Sequence, residues 1–124
     1  MLPRFVLTVT LCSGLAGCDF TGACTTSVEP GLSVHGVDGV TGAPAAHGAS
    51  AWAIEDEYQE ELRNPAPEDP TGERLYGADE REGTYTVSVG KPGYQLWMRE
   101  GVRVRGDGCH VRTVDLETRL VPEP

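Results

Sequence analysis

Gly83–Pro122 reads GTYTVSVGKPGYQLWMREGVRVRGDGCHVRTVDLETRLVP, and this stretch decides the fold. Tyr85, Val87 and Val89 alternate with Thr84, Thr86 and Ser88. A period of two in β-branched and aromatic residues marks a half-buried strand. Gly90-Lys91-Pro92-Gly93 stops it, because Pro92 lacks a backbone N–H and glycine tolerates turn geometry. Tyr94, Leu96 and Met98 form the next alternating face, with Gln95, Trp97 and Arg99 opposite. Glu100-Gly101 predicts a turn, after which Val102 and Val104 alternate with Arg103 and Arg105. Gly106-Asp107-Gly108 predicts a tight connection between antiparallel strands. The last run, Cys109 to Val121, changes parity: Cys109 and Val111 share one face, whereas Val114, Leu116 and Leu120 share the other. A β-bulge near Arg112-Thr113 explains the swap, since one extra residue exchanges faces. A strand buried on both faces is the alternative. Pro122 ends the run.

Upstream, Leu32 to Val37 predicts a strand and Asp38 to Pro44 a turn-rich loop. Ala49 to Tyr58 predicts another strand, with Trp52, Ile54 and Tyr58 on one parity. Its alanines and glutamates also suit a helix over 45–62; the strand is the preferred reading. Asn64 to Glu82 carries Pro65, Pro67, Pro70, Gly72 and Gly77, which break any long element. This segment is expected to be a surface loop that folding does not need.

The chain has 124 residues, enough for one domain. Arg4 followed by Phe5–Leu11 and a small-residue segment reads as a secretory signal peptide. That apolar run is shorter than the roughly 20 residues a membrane-spanning helix needs. Leu15-Ala16-Gly17-Cys18, placed directly after it, resembles the bacterial lipobox. The resemblance implies cleavage before Cys18, with lipid on its thiol and an acyl group on the new amino terminus. The domain reading is then signal peptide 1–17, lipidated tether 18–30 and β-domain 31–122. Asp19 resembles an inner-membrane retention signal; the inner and outer membranes both stay open. With 19 Asp+Glu against 10 Lys+Arg, the net charge is −9. Such a chain repels nucleic acid and anionic lipid headgroups. Its membrane partner is therefore lipid reached through acylated Cys18, and two or more acyl chains hold firmly where one does not.

Four cysteines are present. Under the lipobox reading Cys12 leaves with the signal peptide and Cys18 carries lipid. Cys24 and Cys109 remain, an even pair in an oxidising compartment, and a disulfide is expected. A metal reading has little to stand on: there is no CxxC or HExxH, and adjacent Cys109 and His110 would point to opposite strand faces.

Two segments together resemble a known family. One is Asp38, Thr41-Gly42-Ala43-Pro44 and the strand at 49–54. The other is Glu82-Gly83-Thr84-Tyr85, followed by Pro92-Gly93-Tyr94. The pattern is similar to that of carboxypeptidase regulatory-like domains. Glu82 stands where that family usually has Asp. The resemblance implies an all-β, transthyretin-like antiparallel sandwich of about seven strands, and its motifs are structural. Gly108 to Leu116 also looks like the ending of small bacterial lipoproteins with this fold. A transthyretin-like hydrolase of 5-hydroxyisourate ends in Tyr-Arg-Gly-Ser, which is absent here.

Candidate chemistry is sparse. His35, His47 and His110 read as outward polar residues, and no Gly-x-Ser-x-Gly elbow occurs. Carboxylates crowd residues 55–82, and Asp69, Glu73, Asp79 and Glu80 are calcium candidates. No Asp-x-Asp-x-Asp-Gly loop accompanies them, so a solvated acidic face is the preferred reading. The expectation is a non-catalytic envelope lipoprotein without cofactor or metal, in a binding or structural role, its partner an envelope protein or ligand. The rival is an envelope enzyme or metal-dependent sensor using the acidic loop 55–82 and a histidine.

Overall fold

The computed structural model describes residues 24–65 and 73–124. The signal peptide and Cys18 lie outside the described residues. Seven strands run in chain order: β1 (Leu32–Asp38), β2 (Ser50–Glu55), β3 (Tyr58–Leu62), β4 (Arg74–Gly77), β5 (Gly83–Gly90), β6 (Trp97–Val104) and β7 (Val114–Leu120). They form a three-stranded sheet, β4-β1-β7, and a four-stranded sheet, β3-β2-β5-β6. The fold is an all-β sandwich. Every strand pair is antiparallel except β1–β7, which runs parallel.

β5 is built as its alternation requires. Tyr85, Val87 and Val89 are buried, and they meet Leu32, Val34, Val104 and Leu120 in the core. In β2 the buried parity belongs to Ala51 and Ala53, which sit opposite Val89 and Val87. Trp52 faces outward beside Ser88, 38% exposed. Alanines suit the inner face because Tyr85 and the β5 valines already fill the space there. Tyr58 does not share the parity of Trp52. A turn with Asp56 at φ 50° intervenes, and Tyr58 packs half-buried against the core.

Three expectations are corrected. Glu100-Gly101 does not end a strand: β6 runs through it with a register shift opposite Tyr85–Val87. Gly101 takes φ 69°, and the extra residue swaps the faces. Trp97 therefore packs against the core while Met98 is 54% exposed, the reverse of simple alternation from Tyr94. The parity change in 109–121 has a different cause from a bulge. Asp107 to His110 is a turn, closed by the Gly106–Val111 bridge, and β7 begins only at Val114.

The third correction concerns 64–82, which is not one loop. β4 lies inside it and pairs with β1, burying Leu75, Gly77 and Ala78. β4 also ties the two sheets together. Arg63, just after β3, and Tyr76 of β4 exchange both backbone hydrogen bonds at 2.8 Å. On the opposite side Gln95 N–H donates to Val121 O at 2.8 Å and Glu123 N–H to Gly93 O at 2.9 Å.

Candidate functional site

The resemblance motifs act as turn hardware. Asp38 Oδ1 accepts the N–H groups of Val40 and Thr41 at 2.7 and 2.9 Å, and Gly42 follows at φ 74°. Asp38 Oδ2 accepts the Tyr94 hydroxyl at 2.7 Å. These bonds hold the Asp38 carboxyl below its usual range, the Thr41 N–H contributing most. Tyr85 donates its hydroxyl to Arg81 O at 2.8 Å and accepts from Arg81 Nη1 at 2.8 Å. A buried tyrosine bonded back to the chain four residues upstream locks the corner into a strand.

Among the described carboxylates between 55 and 82, Asp56, Glu57 and Glu61 are solvated, but others bind backbone. Glu55 accepts Thr84 N–H at 2.5 Å, Glu60 accepts Ala78 N–H at 2.6 Å, and Glu82 accepts Gly106 N–H at 2.5 Å. Thr84 lies near the start of β5, whereas Ala78 and Gly106 lie in connections, so each bond ties a strand end or a turn. Arg81 joins Glu55 to Tyr58: its Nη1 lies 3.0 Å from Glu55 Oε1 and its guanidinium carbon sits 3.6 Å from the Tyr58 ring centroid. The Tyr58 hydroxyl donates to Glu60 at 2.5 Å, which pushes its pKa up to about 12.

At one side of this cluster lies the residue pair that sequence arithmetic selects. Cys24 and Cys109 form a disulfide with Cα atoms 5.1 Å apart. It fixes one end of the segment 24–30 to the turn before β7. The other end is held by Gly31, whose N–H donates to Ala78 O at 3.0 Å and whose carbonyl accepts Val114 N–H at 2.9 Å. A Cβ at Gly31 would lie 2.6 Å from Ala78 O, so the approach needs glycine. Between these ends, Glu29 and Glu80 exchange backbone contact: Glu80 N–H donates to Glu29 O at 3.0 Å, and Glu29 N–H to Glu80 Oε1 at 2.8 Å.

The segment also contributes Val28 and Pro30 to the lining of a cleft of about 930 Å³, together with Glu60, Glu61, Arg63, Tyr76 and Asp79. Burial, then the nearby Glu60 and Glu80, raises the Asp79 carboxyl above its usual range. The lining is acidic with one arginine, and it carries no nucleophile arranged with a base.

The three histidines are distributed over the fold. His35 lies on β1 in register with Arg74 and Glu117, and His47 is exposed in the loop before β2. His110 Nδ1 lies 2.7 Å from Glu80 Oε1, a pairing that sequence spacing gave no sign of. Among the described residues, no three His, Cys, Asp or Glu side chains converge as a metal site. Asp69, one calcium candidate, lies outside the described residues. No protein-family profile matches the chain, and no curated protein matches it significantly.

Proposed function

We propose that the protein is a lipoprotein of the bacterial cell envelope. Its β-sandwich, kin to carboxypeptidase regulatory-like domains, is a non-catalytic binding or structural module. The observation that carries the reading is the Cys24–Cys109 disulfide. It pairs the two cysteines left after the lipobox has claimed Cys18, and such bonds persist in exported proteins. It also fastens the chain shortly after Cys18 to the domain, so an acylated Cys18 would hold the sandwich close to the bilayer. The motif residues support a module without chemistry of its own, because Asp38, Gly42, Tyr85 and Tyr94 are spent on turns and corners.

The test is Cys18→Ser in cells of a lipoprotein-processing bacterium, followed by membrane fractionation and intact-mass measurement. The expected results are a diacylated or triacylated Cys18 terminus for the parent. The variant should be an uncleaved precursor or be lost from the membrane fraction. An unmodified mature terminus at another residue overturns the reading.

A further inference from the structure

The contacts of residues 25–29 run as one proton chain. His110 Nδ1 lies 2.7 Å from Glu80 Oε1, and its Nε2 lies 2.9 Å from Thr25 Oγ1. Thr25 Oγ1 is 2.7 Å from Ser27 Oγ, and Ser27 Oγ donates to Glu29 Oε1 at 3.4 Å. When all four contacts are made at once, counting protons sets the state of the ring. A carboxylate only accepts, and a hydroxyl carries a single proton. Ser27 uses its proton on Glu29, so it accepts from Thr25. Thr25 has then used its own proton, so its oxygen accepts from Nε2–H. Glu80 accepts from Nδ1–H. Both ring nitrogens donate, and that species is the imidazolium.

We propose that residues 25–29 are a proton-gated strap: the His110 imidazolium fastens it, and loss of that proton loosens the cleft wall made by Val28 and Pro30. In the neutral ring Nε2 becomes an acceptor. Thr25 must then donate to it and Ser27 to Thr25, and Glu29 loses its donor. The charge attraction is lost as well. The charged groups that act most on the ring, among the described residues, are acidic: Glu80 from the turn after β4, Glu29 from the strap, and Asp107 from the ring's own turn. Arg112 acts on Asp107. The Glu80 hydrogen bond is the main cause that raises the His110 pKa above its ordinary 6.5, with burial opposing. A raised folded-state value means that the stabilisation is complete below 6.5 and disappears as pH climbs through the higher folded value. The disulfide keeps the Cys24 end in place at every pH, so the opening is local. The inference goes beyond the membrane reading and holds whether or not Cys18 carries lipid.

The experiment is NMR on the oxidised chain, following the His110 ring and amide exchange at Glu29, corrected for the intrinsic pH dependence of exchange. We expect His110 to titrate above 6.5. Glu29 protection should fall about tenfold across that midpoint, the equivalent of one net hydrogen bond. Amides of Val34 and Val87 should not respond. His110→Gln should abolish the step in Glu29 protection, and Glu80→Gln should move the His110 midpoint downward. A His110 midpoint at or below 6.5, or Glu29 protection that is flat across the midpoint, overturns the proposal.

Discussion

Glu60 and Ala78 are joined across the gap between the two sheets: the Glu60 carboxylate accepts the Ala78 N–H at 2.6 Å. Glu60 belongs to the edge of one sheet, and Ala78 follows the edge strand of the other. Gly77 makes room for the contact, because a Cβ there would lie 2.3 Å from the Glu60 carboxylate. With the Arg63–Tyr76 backbone pair, this bond closes the β3–β4 side of the sandwich. Glu60→Ala should leave the buried Ala78 N–H without its acceptor and the Tyr58 hydroxyl without Glu60. The expected loss is about 1–3 kcal/mol. It should appear as a lower urea midpoint at unchanged slope. An unshifted midpoint would mean that water replaces the carboxylate at no cost.

Tyr85→Phe should keep the ring in the core and remove two contacts, the bond to Arg81 O and the contact with Arg81 Nη1. The side chain is fully buried, so both partners lose more than a surface pair would. A destabilisation of about 1–3 kcal/mol is expected. Thermal unfolding checks it, at roughly 4–8 °C per kcal/mol for a domain of this size. A change below roughly 2 °C would place the corner's stability in packing alone.

The disulfide spans a sequence separation of 85. Chain entropy assigns such a loop about 4–5 kcal/mol, before any native-state strain. That rivals the stability of a whole small domain, about 5–15 kcal/mol. Reduction, or Cys24→Ser together with Cys109→Ser, should lower the melting temperature markedly. Labelling of Cys24 or Cys109 in the unreduced, denatured protein would contradict the bridge.

Acid should unfold the protein through particular carboxylates. The pKa values of Asp38, Glu55, Glu80 and Asp107 are lowered, each chiefly by accepted backbone N–H bonds: Thr41 for Asp38, Thr84 for Glu55, Glu29 for Glu80 and His110 for Asp107. Depressed folded-state values contribute stability above the ordinary values of 3.8 and 4.5, and lose it as pH falls through the depressed ones. Stability measured by urea should therefore drop steeply below about pH 4, and Asp38→Asn should flatten part of that drop. A pH-independent midpoint between 5 and 3, taken as an approximate window around those carboxylates, would refute this account.

Strands whose pattern is local were legible in the sequence. β5 follows from alternating Tyr85, Val87 and Val89, and β7 from Val114, Leu116 and Leu120, because side-chain period two needs no information beyond the strand itself. The disulfide was legible by elimination. β4 was not, because four residues flanked by prolines and glycines carry too little pattern, and its strand character comes from pairing with β1. The burial of Trp97 in place of Met98 was hidden as well, since one left-handed glycine at 101 reverses the faces without altering the apparent alternation.

The sequence by itself determined an acidic, turn-rich all-β chain with a cysteine near each end of its domain, because periodicity, turn chemistry and charge are properties of neighbouring residues. Only the tertiary structure decided what the polar side chains do. Glu55, Glu60, Glu80 and Glu82 look alike in a list of charges. They become loop fasteners because folding brings them to backbone N–H groups 18 to 51 positions away, and His110 to Glu80 across 30. Hydrogen bonding acts over about 3 Å in space, and chain distance carries no trace of it.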